Sequence, residues 1–237
     1  MQSGSVEGIV LQKTNYGDNG IILKLLTENE GIKSFIFHGA KSKKKKGNLI
    51  SPLAILNLRY QQKNQNSLPS VQDIDLALIL KTTPTEPSKL GVVFFMNEVI
   101  LQVTTDQEDN SDLFNFVRTA LRILDSASNI SNFPIKFLLH LTNQLGLGPN
   151  VEVDAKYFDL KEAAFVKHQP AHPVYIDKER TALILLLFHT ALEAEDDLKI
   201  SLEMRRKILE DVLNYYKMVQ DGFKNLKCLE ILELTFH

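Results

Sequence analysis

An α+β architecture is predicted by this sequence: a small N-terminal β-barrel followed by a mainly α-helical domain. Three observations carry it. Short β-branched or leucine-rich runs with glycine at their corners fill the first 80 residues. Beyond them the apolar residues recur at three- and four-residue steps, the period of a helix. Between the two textures, "KTTPTEPSKLG" places Pro84 and Pro87 among threonines and a serine, the best boundary signal in the chain. The expected domains are residues 1–80 and 81–237.

The strands follow in order. "VEGIVLQKT" and "GIILKLLTE" flank the turn signal "NYGDNG". "GIKSFIFHGA" alternates Ile32, Ser34 and Ile36 with Lys33, Phe35 and Phe37, and one of these rows has to fill the barrel. "LAILNLRYQQ" sets Leu53, Ile55 and Asn57 against Ala54, Leu56, Leu58 and Tyr60, and "SVQDIDLAL" supplies a fifth strand after a polar loop. Five short strands suit a small closed barrel such as an OB-fold. An SH3-like barrel fits the strand count equally, so the pattern leaves the two open.

The helices come next. "KLGVVFFMNEVILQVTT", "DLFNFVRTALRILDSA" and "PIKFLLHLTNQLG" begin near Ser88, Asn110–Ser111 and Ser131, whose side chains accept the free N–H groups of a first turn. Gly146 is a C-terminal stop for the third. "VDAKYFDLKEAAFVKHQPAHPVYI" breaks this texture, so a small irregular or hairpin insert around Phe158 and Phe165 is expected near 151–176. Two longer helices in "DKERTALILLLFHTALEAE" and "SLEMRRKILEDVLNYYKMVQ" and a short last one in "CLEILELTF" complete the domain.

Composition narrows the class. Hydrophobic content of 44% with 24% charged residues is that of a folded chain, not a disordered one. The longest apolar run, Ala182 to Phe188, is far short of the roughly 20 residues that span a bilayer. No basic stretch and apolar core open the sequence, so a cytoplasmic protein without a secretory signal is expected. A single cysteine, Cys228, excludes an internal disulfide and any cysteine-rich zinc site.

Charge is unevenly shared. Residues 1–80 hold ten basic and six acidic side chains, a balance of +4 in a chain whose net charge is −2. Five of the lysines stand in six positions of "KSKKKK": Lys41, Lys43, Lys44, Lys45 and Lys46. Ammonium groups on a loop between barrel strands neutralise a phosphate backbone and release its counterions without reading bases. Those five and Arg59 are the candidate DNA-binding residues, with Lys33 and Lys63 able to widen the patch. Tyr16, Phe35, Phe37 and Tyr60 are the aromatics available for base stacking, though a small barrel also needs aromatics for its core.

No enzyme and no cofactor are expected. The sequence has no G-x-x-x-x-G-K-[ST] loop and no G-x-S-x-G, and "GLGPN" is a turn rather than a dinucleotide fingerprint. His168 and His172 in "KHQPAHP" have the four-residue spacing of a helical ligand pair, but Pro170 and Pro173 preclude the helix. No metal is expected there.

"GIVLQKTNYGDNGIILKLLTENEGIKSFIFHGAKSKK" resembles the opening of the RecO family of bacterial recombination mediators. The matching features are Gly8 to Leu11, Tyr16-Gly17-Asp18, Thr27, Gly31, Gly39-Ala40 and Lys41 at the start of a basic loop. "NLISPLAILNL" is similar to the family's spaced leucine pair with a proline, here Pro52, and "LTNQLGLGPNV" to its Leu-Gly-x-x-Pro turn. The resemblance implies an N-terminal OB-fold, a helical C-terminal domain, binding to single- and double-stranded DNA, and annealing of complementary strands. It implies RecR and the acidic C-terminal tail of the single-stranded DNA-binding protein as partners, RecA as the indirect beneficiary, and a bacterial cytoplasmic location, at the nucleoid during repair. Many relatives carry two Cys-x-x-Cys pairs after the Leu-Gly-x-x-Pro turn; this sequence has none there, which removes that zinc site.

An acidic tail needs an apolar groove with a basic rim, and Arg118 and Arg122, one turn apart, are a possible anchor for it. Two further readings stand beside a DNA-binding mediator. A pure adaptor would use its helices for proteins and its barrel as a scaffold. An OB-fold RNA-binding protein would need stacking residues exposed on the barrel.

Overall fold

The computed structural model of the protein describes residues 2–38, 46–64, 66–104, 110–194, 198–230 and 232. Strands β1 (Gln2–Tyr16), β2 (Gly20–Thr27), β3 (Ile32–Phe37), β4 (Ile55–Gln62) and β5 (Ser70–Leu76) close into a barrel of order β1-β2-β3-β5-β4. β1 serves two neighbours: Gly8 and Ile9 pair with both β4 and β2, and the register slips between Val10 and Gln12. Such a bulge bends a strand around a barrel corner. Closure comes from a parallel pairing of β3 with β5 at Ile36 and Ser70. This is the OB-fold arrangement, and it removes the SH3-like alternative.

The barrel interior answers which row of β3 is core. Phe35 and Phe37 are fully buried with Leu23, Leu25, Leu56, Leu58 and Ile74, whereas Ile32, Ser34 and Ile36 are only half-buried. Phe35 meets Tyr60 edge-on with ring centroids 5.3 Å apart. Gly4, paired with Tyr60 across β1 and β4, leaves room for that ring, since a Cβ there would lie 2.6 Å from it. The β2–β3 turn is tied by buried Thr27, whose hydroxyl donates to the Gly31 carbonyl (2.7 Å) and accepts from the Glu30 N–H (3.0 Å). Gly31 supplies the left-handed φ of 63° that this turn requires.

The chain forms two compact units, Met1–Glu86 with Asn97–Arg122, and Pro87–Met96 with Ile123–His237. Helices α1 (Pro87–Val103), α2 (Ser111–Ser126), α3 (Phe133–Gln144), α4 (Lys178–His189) and α5 (Leu202–Val219) fall close to the sequence expectation. Their starts differ in part. α1 follows Glu86 and α3 follows Asn132, each with a proline in its first two positions, and neither N-cap side chain bonds the turn. Proline lacks the N–H that a capping Ser88 or Ser131 would have satisfied and presets φ for the helix. By contrast, Asp177 and Ser201 accept the N–H groups of Arg180 and Met204 and cap α4 and α5. Gly146, with φ 67°, follows α3 as expected. Most of the short last helix expected in "CLEILELTF" lies outside the described residues.

The insert is a small sheet of β6 (Asn150–Val151), β7 (Tyr157–Asp159), β8 (Ala164–Val166) and β9 (Tyr175–Ile176), in the order β6-β8-β7-β9. Phe158 and Phe165 stack across the β7–β8 hairpin with centroids 4.1 Å apart, and Phe158 lies 5.0 Å from the Tyr215 ring of α5.

α4 and α5 are joined by Arg180, whose guanidinium meets Asp211 at 2.7 and 2.8 Å and Asp177 at 2.9 Å. Burial pushes the Asp211 carboxyl up to about 6, against the pull of Arg180. A carboxyl raised above its unfolded value of 3.8 makes the folded state take up a proton between about pH 6 and 4 that the unfolded chain does not. Its penalty on stability is full above pH 6 and fades as pH falls through that window. In thermal melts, the wild type should therefore gain on an Asp211→Asn variant as pH drops from 7 to 4.5. A difference that stays constant or moves the other way would refute this account of Asp211.

Candidate nucleic-acid interface

One end of the barrel gathers three connections. Tyr16 pairs with Gly20 across the β1–β2 turn, Ile21 pairs with Phe37 at the exit of β3, and the Ile36 N–H donates to Pro69 O (2.9 Å) at the end of the β4–β5 loop. The basic run therefore departs, after exposed His38, from the end that also carries the β1–β2 turn and the loop with exposed Lys63. Lys41, Lys43, Lys44 and Lys45 lie outside the described residues.

Lys46 and Arg59 are described, and both face carboxylates of β5. The Lys46 ammonium bonds Asp75 and lies 3.5 Å from Asp73, while Arg59 reaches Asp73 at 2.6 Å. Its bond to Asp75 holds the Lys46 ammonium above the usual lysine range, and Arg59 holds the Asp73 carboxyl below the usual carboxylate range. All four groups are solvent-exposed to some degree, so these pairs are weak and exchangeable. Lys33 is engaged as well. It bonds Glu30 and stands 4.9 Å over the Tyr60 ring, and despite partial burial these partners raise its pKa.

Of the four barrel aromatics, Phe35, Phe37 and Tyr60 are core, while Tyr16 is 52% exposed.

The two arginines on α2 part company. Arg118 bonds Glu7 at 2.9 Å, and Arg122 is exposed. An apolar groove with a basic rim does exist, at another place. In the helical unit, Pro134 and Ile135 of α3, Leu209 and Leu213 of α5, and Leu226 and Leu232 line a groove of about 310 Å³. Arg205, Arg206, Lys217 and Lys224 stand around it. Sequence reasoning missed it because its walls come from three separated segments; the linear signal was the basic "MRRK" on an amphipathic helix.

His172 turns its Nε2 to Asp159 Oδ2 (3.2 Å), and its Nδ1 accepts from the Val174 N–H (3.3 Å). Asp159 also receives the N–H groups of Lys161 and Glu162. His172 is thereby a strut for the β7–β8 hairpin, while His168 is exposed. Among the described residues no group of three or more His, Cys, Asp or Glu is placed to hold a metal ion, and no helix is long and apolar enough to cross a membrane.

The barrel topology and the helices that follow define an OB-fold protein with a helical C-terminal region. Comparison with known proteins extends this. The family described as recombination protein O, N terminal, matches residues 1–80, and its C-terminal counterpart matches residues 84–222. A DNA repair protein RecO of Flavobacterium johnsoniae is 32% identical over 235 residues, covering 97% of this chain and 98% of that protein. Those of Azobacteroides pseudotrichonymphae and Bacteroides fragilis are 28% and 27% identical with the same coverage of this chain, and 98% and 97% of their own lengths. The chain belongs to the RecO family of DNA repair proteins.

Proposed function

We propose that this protein is a non-enzymatic recombination mediator that binds single- and double-stranded DNA and anneals complementary strands. With RecR, it helps RecA load onto strands coated by single-stranded DNA-binding protein. The observation that carries the reading is a five-lysine run leaving β3 at the barrel end shared with the β1–β2 turn and the β4–β5 loop, in a chain of the RecO family. Two phosphate backbones repel each other, and ammonium groups lower that cost without ATP or base-specific contacts. Lys41 and Lys43 to Lys46 are the backbone contacts in this account, with Arg59 at the margin. Asp73 and Asp75 hold Lys46 and Arg59 in reserve, and phosphates compete with them for the two cations. The basic-rimmed groove of the helical unit is the proposed seat for the acidic, apolar tail of the single-stranded DNA-binding protein, in place of Arg118 and Arg122.

Fluorescence anisotropy of a labelled single strand at several salt concentrations tests this reading. Changing Lys43 to Lys46 to alanine should weaken binding and flatten the slope of log K against log salt by up to roughly 0.7 per lost contact. Changing Asp73 and Asp75 to asparagine should tighten binding and steepen the slope. Identical curves for wild type and the lysine variant, or no binding by either, would leave the adaptor reading in its place.

A further inference from the structure

Among the described residues, Tyr16 is the barrel aromatic that lies outside the core. From Gln12 to Asn19 every residue of the β1–β2 turn region is exposed, and all but Tyr16 and Gly17 are polar or charged. Tyr16 has nothing apolar to complete there, while the other barrel aromatics fill the core. The ring is nonetheless placed. A Cβ on Gly20 would meet the Tyr16 carbonyl oxygen at 2.7 Å, so the turn's backbone needs the bare glycine, and ring atom Cδ1 lies 3.6 Å from that position, an ordinary contact distance that sets the ring beside the start of β2. The same position is 3.8 Å from the Phe37 carbonyl oxygen, one residue before the chain leaves for the lysine run. Lys13, three residues earlier on β1, is also exposed.

We infer that Tyr16 is a stacking platform for an unpaired nucleobase of a single strand crossing this end of the barrel. An exposed aromatic among exposed cations, here Lys13 and Lys63, is what sequence-tolerant single-strand binding requires, because every base has a π-face and every nucleotide a phosphate. The inference rests on the DNA-binding reading above and adds to it a reason for preferring unpaired strands, since bases within a duplex offer no free face.

The test uses the full chain with three labelled ligands: an oligothymidylate, an abasic oligomer of the same length, and a duplex. Tyr16→Ala should weaken binding of the oligothymidylate by roughly 5- to 100-fold, the range base–aromatic stacking supplies. Affinity for the abasic oligomer and the duplex should not change, and neither should the salt slope, because no charge is removed. Tyr16→Phe should stay within about twofold of wild type, since the ring and not the hydroxyl stacks. Equal losses on the normal and abasic strands, or no loss on either, would overturn the assignment. If Tyr16→Ala has no effect while the lysine variant loses salt-sensitive binding, Tyr16 falls and DNA binding stands. If the wild type binds none of the three ligands, both fall.

Discussion

Phe158→Ala is expected to cost about 3–5 kcal/mol, and a metal chelator nothing. The ring is 1% exposed, stacks on Phe165 and touches Tyr215, so truncation opens a cavity where the small sheet meets α5. For a chain of this size the loss corresponds to a fall of roughly 6–20 °C in melting temperature. This is the segment in which the family resemblance implies a zinc site for many relatives. Here the hairpin holds itself with two stacked phenylalanines, the His172–Asp159 contact and the N–H groups that Asp159 accepts. Melts with and without EDTA check the second half of the expectation. A marked drop on chelation would mean that a metal, and not packing, holds this sheet.

The second large effect concerns the groove beside α3 and α5. Changing Arg206 and Lys217 to glutamate should weaken binding of an acidic C-terminal tail peptide more than tenfold. The salt slope for bare DNA should stay as it is. Both side chains are exposed at the rim of an apolar trough, where reversing two charges turns attraction for a carboxylate-rich peptide into repulsion without disturbing the buried leucines. Calorimetric titration of the peptide is the measurement. Unchanged affinity would move the tail to another surface, Arg122 among the candidates.

How far the sequence led depends on how local each signal was. The strands of the barrel were legible because period-two alternation and corner glycines are short-range patterns. Which row of β3 faces inward was not, since Ile32 and Ile36 are as apolar as Phe35 and Phe37, and only closure of the barrel decides. Helix existence was legible, but helix starts were less so, because Pro87 and Pro134 opened two helices that a serine was expected to cap. At the candidate site the lysine run announced itself. Its counter-charges did not: Asp73 and Asp75 come to Lys46 from β5, just as, elsewhere, Glu7 of β1 comes to Arg118 of α2. Such pairings belong to topology rather than to any window of residues.

The bulge in β1 between Val10 and Gln12 has a meaning beyond geometry. By turning one strand around the corner it lets β1 pair with β2 and β4 alike, so every strand of the barrel has a neighbour on both sides. An unpaired strand edge is a template on which another chain can add itself. On DNA, as proposed above, copies of the protein would stand at high local concentration, and there an open edge would invite them to polymerise. The closed barrel offers none, and the edge strands of the small sheet, Asn150–Val151 and Tyr175–Ile176, are two residues long, too short to seed a fibre.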